Sequence, residues 1–298
     1  MIKINSSYKY LLFFFTLTAL ISFCEISNSA PATTMARNNA ACPATILANG
    51  GECEAQPATQ NIIFHKVAFC TALPTEPTST TATGMTNCST VFENTAGSTV
   101  SVQKSVGTTP NGTFTDPPYG SYTFAYVELS PVVTYKSNLV FSTDKALSSN
   151  AANGAVAGFI NCQTNGTAYT HWGNLLGITC QAGVGVAANT NVTLNSLDNG
   201  AALYAARFPG TNGNTDVYLV QSNGTLATGS TQGNNLNVAK VIAFVPLTAN
   251  ITPNTTSYNL LYNNTRGMTV WQNVSANSAA KWNLGFSIAY FDMTFEVQ

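Results

Sequence analysis

"NIIFHKVAFC", residues 61–70, decides the fold class. Ile63, His65, Val67 and Phe69 alternate with Ile62, Phe64, Lys66 and Ala68, the two-residue period of a strand with opposite faces. The stretch holds one of the chain's two histidines and one of its seven cysteines, which raises the choice between a nucleophilic pair and a covalent staple. On strict alternation His65 and Cys70 point to opposite faces, separated by five residues at about 3.3 Å each. That spacing excludes a thiolate–imidazole pair between them and favours the staple.

Working outward, the same pattern recurs. "YGSYTFAYVELSPVVTY" sets Tyr122, Phe124 and Tyr126 against Ala125, Val127 and Leu129, so both faces are covered, as in an inner strand that Pro131 ends. "TVFENTAGSTVSVQK" reads as a hairpin turning at Ala96–Gly97. "NLVFS", "GAVAGFINC", "NVTLNSL", "DVYLVQ", "VAKVIAFVPL", "SYNLLYN" and "MTVWQNV" add short strands between Asn-, Gly- and Thr-rich turns. The expected fold is all-β, a sandwich or jelly roll. Helical spacing is confined to "LDNGAALYAARF", with Leu197, Ala201, Tyr204 and Phe208 in phase and Asp198 as cap, and to one turn in "SANSAAKW".

The first 29 residues carry Lys3 and Lys9, an apolar run from Tyr10 to Phe23 and small residues at Ser27 and Ser29, the layout of a secretory signal. Residues 30–60 form an irregular arm, and 61–298 the β region, with "STDKALSSNAANGAVAG" (142–158) as the place where it would divide into two subdomains. No later stretch reaches the roughly 20 apolar residues of a spanning helix. The expected location is the exterior or the cell surface.

Removal of the signal leaves six cysteines: Cys42, Cys53, Cys70, Cys88, Cys162 and Cys180. An even number in an exported chain reads as disulfides, with 15 pairings open. Sequential pairing is favoured, because Cys42–Cys53, Cys70–Cys88 and Cys162–Cys180 each close a turn-rich polar loop. No pair has CxxC spacing, and neither a metal nor a cofactor is expected.

Charged residues are 8% of the chain, against roughly a quarter in ordinary domains. With no basic stripe there is no footprint for nucleic acid. A weakly charged surface resists self-association poorly, which suits a subunit that meets copies of itself or other surface subunits. Catalytic motifs are missing: there is no GxSxG, HExxH or GxxxxGK[ST]. Asp116, Asp144, Asp198, Asp216 and Asp292 are scattered among turn residues. "TNGNTD" (211–216) imitates the start of a calcium loop without its glycine or distal glutamate and reads as a turn. The candidate ligand-binding residues are Tyr119, His171 and Trp172: Tyr119 and Trp172, like Trp271 and Trp282, offer flat faces to a sugar, and His171 a ligand or base. A secreted carbohydrate-binding protein or glycosidase is therefore the alternative function, and a small outer-membrane barrel a third reading.

The chain ends "GFSIAYFDMTFEVQ", with Gly285 fourteenth from the end and Met293, Phe295 and Val297 alternating with Thr294, Glu296 and Gln298. This resembles the terminal strand of chaperone–usher pilins and adhesins, with Val297 where that family prefers Tyr. The resemblance implies an incomplete sandwich that accepts a strand from the next subunit, a form of β-augmentation. The expected function is a non-catalytic structural or adhesive subunit.

Overall fold

The computed structural model describes residues 52–102, 108–140, 147–148, 161–170, 177–181, 184–197, 203–210, 213–229, 237–262, 264, 267–274, 282–288 and 293–298, some of them by backbone alone. The signal, the arm up to residue 51, Cys42, His171, Trp172 and most of 142–158 lie outside these residues. The described residues belong to one compact unit, Pro31–Gln298.

The described residues are all β, without helix. In chain order the strands are β1 (Glu52–Ala55), β2 (Thr59–Cys70), β3 (Cys88–Val102), β4 (Thr113–Phe114), β5 (Gly120–Leu129), β6 (Val132–Lys136) and β7 (Asn138–Val140). Next come β8 (Leu147–Ser148), β9 (Asn161–Thr164), β10 (Tyr169–Thr170), β11 (Ile178–Gln181), β12 (Thr190–Thr193), β13 (Ala205–Gly210) and β14 (Gly213–Val220). The last are β15 (Lys240–Ile251), β16 (Tyr258–Tyr262), β17 (Met268–Val274), β18 (Trp282–Ile288) and β19 (Met293–Val297).

The main sheet is organised around β2. On one edge β3 accompanies it along its length, from Gln60↔Val102 to Cys70↔Cys88. On the other edge β5 and β6 run past it as one interrupted line, with Phe64–Cys70 against β5 and Thr59–Asn61 against β6. The interruption is Ser130–Pro131. Pro131 has no N–H for the ladder, while its carbonyl accepts the Leu194 N–H at 2.8 Å and the Ser130 N–H reaches Ile63 O at 2.9 Å. There the sheet forks: β15, β14 and β13 continue from β5, whereas β12 and β10 continue from β6. Smaller sheets are β1–β17–β18–β8, β11–β9–β7 and the pair β16–β19.

Both faces of the centre are covered. On the inner face Phe64, Val67, Phe69, Val127, Leu129 and Val245 share a buried core with half-buried Tyr258, Leu260 and Phe295 of β16–β19, which form the facing layer. Phe69, fully buried, contacts the rings of Tyr122, Tyr258 and Phe295 at 5.8, 5.2 and 5.6 Å between centroids. On the outer face Ala68, Cys70, Tyr126, Tyr218, Ile242 and Phe244 pack under Leu73 and Met85. Both faces of β5 are covered as expected, but Tyr122 joins Ala125, Val127 and Leu129 in the inner core, and of the three aromatic residues only Phe124 and Tyr126 lie on the outer face.

Three sequence expectations are corrected. The stretch around Ala96–Gly97 does not turn back as a hairpin: β3 pairs with β2 on both sides of it, with Phe64 opposite Ser98 and Lys66 opposite Glu93. Residues 94–97 bulge out between those pairs. Asn94 Oδ1 accepts the Ala96 N–H at 3.0 Å, a local Asx turn. Gly97 takes φ +85°, where a Cβ would lie 2.5 Å from Ile63 Cγ2 and 2.9 Å from His65 Cε1. The bulge also breaks the parity of β2. Ile62 and Phe64 share the inner core with Val67 and Phe69, so the assignment of His65 and Cys70 to opposite faces by strict alternation fails. What removes Cys70 from chemistry is its bond to Cys88. Finally, the helix expected over 197–208 is overturned where it is described, because Ala205–Gly210 pairs antiparallel with β14. Burying Ala206 and Phe208 on one face of a strand, with Pro209 following, outweighs the helical spacing.

Candidate functional site

The Cys70–Cys88 disulfide joins directly opposed residues of β2 and β3, as the sequential pairing expects. Cys162 is also disulfide-bonded, and the register sets it opposite Cys180 across β9 and β11. Cys53 lies in β1 opposite Val270. Of the expected ligand-binding residues only Tyr119 is described. It is 71% exposed, in the turn before β5.

A cleft of about 520 Å³ lies between the two layers. Its floor is Phe64 of β2 with Val91, Phe92 and Val100 of β3, and its far wall is Leu260 of β16 and Phe295 of β19. Thr108, Pro110 and Phe114 stand at the mouth. The volume lies within the range of ligand sites, and the described lining carries no charged side chain. Burial raises the pKa of the Tyr258 hydroxyl, with Asp116 adding to the effect, so this part of the wall stays uncharged at neutral pH. Tyr119 and paired carboxylates are not part of the described lining.

The strand chemistry of the wall is specific. In β16, Tyr258, Leu260 and Tyr262 are half-buried while Asn259 and Leu261 are exposed. Ser257 and Gln298 exchange both backbone hydrogen bonds, at 3.2 and 2.9 Å. By the alternation of an antiparallel ladder, Asn259 and Leu261 then bond β19, and the N–H and C=O of Tyr258 and Leu260 point away from it. No strand lies along that edge of β16 among the described residues. Across the cleft, β4 covers β3 only at Phe92 and Glu93. Beyond them the outer edge is tied by side chains, including Asn111 N–H to Ser98 Oγ at 2.7 Å and Asn94 Nδ2 to Asn111 O at 2.7 Å.

Several of the described charges pair within the fold. Glu93 and Lys66 pair at 2.7 Å, Lys66 stands opposite Glu128 in the ladder, and Glu128 meets Lys240 at 2.7 Å. A second group joins Arg207 of β13 to Asp216 of β14 through two hydrogen bonds of 2.6 and 2.7 Å. Asp216 thus serves a buried ion pair, not a calcium loop. Glu76 and Tyr218 lie beside this pair, and burial raises the Glu76 pKa, with Asp216 adding to the rise and Tyr218 and Arg207 opposing it. At the base of the facing layer Gln60, fully buried, donates to the hydroxyls of Tyr135 and Tyr262 at 3.3 Å, and Tyr135 donates to Gly267 O at 3.0 Å. Burial holds the Tyr135 hydroxyl protonated; this network fixes the layers and is closed to solvent at Gln60.

Sequence reasoning missed both the cleft and the Glu76–Asp216–Arg207 group. The available signal for the first was the alternation in "SYNLLYN" together with that of "MTFEV", which pair as β16 and β19. For the second there was none, since residues 76, 207 and 216 meet only through the register of β13–β14 and the path of a loop. Compared with protein-family models, curated proteins and solved structures, the chain matches none.

Proposed function

We propose that this protein is an exported, non-catalytic structural or adhesive subunit that assembles by taking an extended segment of a neighbouring subunit into the β3–β16 cleft. The observation that carries this reading is the edge of β16 that no strand covers among the described residues, above an apolar floor. A strand laid there would bond the backbone of Tyr258 and Leu260, and its alternate side chains would enter the space over Phe64, Val91 and Val100. The uncharged lining favours a partner segment without charges at its inward positions, since burying an ion there costs several kcal/mol. The resemblance of the C-terminal strand to pilin ends agrees with this mode. The disulfides fit an extracytoplasmic setting.

The test is sedimentation of the signal-free chain over a range of concentrations, with Leu260→Pro as comparison. Proline at 260 removes an N–H that faces the open edge and leaves the bonds to β19 in place. The expected result is concentration-dependent oligomers or filaments for the parent chain and monomers for the variant, with equal circular dichroism. A parent chain that stays monomeric at millimolar concentration refutes the proposal.

A further inference from the structure

The segment between the bonded cysteines, residues 71–87, folds back as a flap over the outer face of the main sheet. Thr75 and Gly84 bridge each other through N–H···O bonds of 3.1 and 3.3 Å, and Thr78 and Thr81 close the tip. The flap is pinned at two points to the turn after β14: the Leu226 N–H reaches Thr78 O at 2.8 Å and the Thr83 N–H reaches Gly224 O at 3.4 Å. Leu73 and Met85 seal Tyr218, Phe244 and Tyr126, whose rings neighbour one another at 5.1 and 6.2 Å between centroids.

Residues 71–87 contain one ionisable side chain, Glu76. In a flap otherwise made of Thr, Ser, Pro, Ala and other uncharged residues, that group would be expected to face water. It is instead turned inward. Its Oε1 is buried beside the equally buried Tyr218 hydroxyl, whose donation favours the ionised form but is outweighed by the cost of burying the charge. The groups facing Glu76 are Tyr218 and Asp216 of β14 and Arg207 of β13. The turn 221–226 adds nothing ionisable, and on the neighbouring strands Glu128 and Lys240 are paired with each other. Arg207 makes two hydrogen bonds to Asp216, and its attraction for an ionised Glu76 is smaller than the cost of burial. Ionised Glu76 therefore places a partly buried second negative charge beside Asp216, offset only in part by Arg207 and Tyr218, whereas protonated Glu76 is neutral.

We propose that the flap is an acid-latched cover over the aromatic outer face, held down when Glu76 is protonated and loosened when it ionises. The sign follows from linkage. Glu76 in the closed flap has a pKa above its ordinary value near 4.5, whereas in an open flap it faces water and returns toward that value. The closed form is thus favoured in full below the ordinary value, and the advantage is lost as pH rises through the elevated one. Opening presents Tyr126, Tyr218 and Phe244, a surface suited to apolar contact.

Hydrogen exchange by mass spectrometry on the full chain tests this, with rates corrected for the intrinsic pH dependence and followed from pH 4 to 8. Peptides spanning 71–87 and 221–226 should lose protection as pH rises, by up to tenfold per pH unit across the transition, the limit for one proton. Peptides of β5 and β15 should not follow. Glu76→Gln should keep the flap protected at every pH. A parent flap whose corrected protection is flat across this range overturns the proposal by itself, whether or not the variant folds. A Glu76→Gln protein that retains the pH response overturns it equally.

Discussion

Replacing Cys70 and Cys88 together by alanine removes a staple whose two ends are neighbours in the β2–β3 ladder. The bonded residues are 18 apart in sequence, and in the chain-entropy description a closed loop of that size constrains the unfolded chain by about 3 kcal/mol at 25 °C. The surroundings set the rest. Cys70 is fully buried among Ala68, Tyr126 and Phe244, so trimming the two sulfurs from this outer core costs about 1 kcal/mol more. The folded flap itself should survive, because the Thr71 N–H still reaches Asn87 O at 2.9 Å and the Thr75–Gly84 bridge does not involve sulfur. The expected total is about 4 kcal/mol. With a urea slope of about 3 kcal/mol/M for a chain of this size, the midpoint should fall by more than about 1 M. The assay is urea unfolding under non-reducing conditions, read by far-ultraviolet circular dichroism and tryptophan fluorescence. A midpoint within about 0.3 M of the parent would refute the reasoning. If exchange of the flap rose sharply with no change of midpoint, the bond would be acting as a latch in the folded state and not as a constraint on the unfolded one.

Phe69→Ala should cost about 3–5 kcal/mol by the same assay, because the ring is fully buried and touches aromatic rings of both layers. Phe114→Ala, at a half-exposed ring, should cost less than about 1 kcal/mol; equal losses would contradict the layer assignment. Arg207→Ala strips Asp216, 4% exposed, of a partner at 2.6 Å. Discounted for the partial exposure of the guanidinium, the loss should be about 2 kcal/mol, and Arg207→Ala with Asp216→Ala should recover most of it. Additive losses in that double variant would show that the pair does not interact as described.

Local order was legible in the sequence because a strand declares itself by a period of two and a turn by Gly, Asn and Pro. That is why β2, β5, β15 and β16 could be placed, and why the closure of a polar loop by Cys70 and Cys88 could be expected. The helix expected at 197–208 failed over Ala205–Phe208 because those apolar residues fit either period, and the β13–β14 pairing is settled by residues that follow them. The alternation of β2 failed at His65 because a bulge is a property of two strands: Gly97 of β3 and Ile63 of β2 must meet before the parity of either is fixed.

What the sequence by itself determined is the class of the protein: short strands, few ions and cysteines enough to staple them. The tertiary structure alone decided the fork at Pro131, the pairing of β16 with β19 over an apolar floor, and the place of Glu76 beside Asp216 and Arg207. The physical reason is range. Periodicity and turn preference act over a few residues, whereas register, layer stacking and the partners of a buried charge depend on segments more than a hundred residues apart.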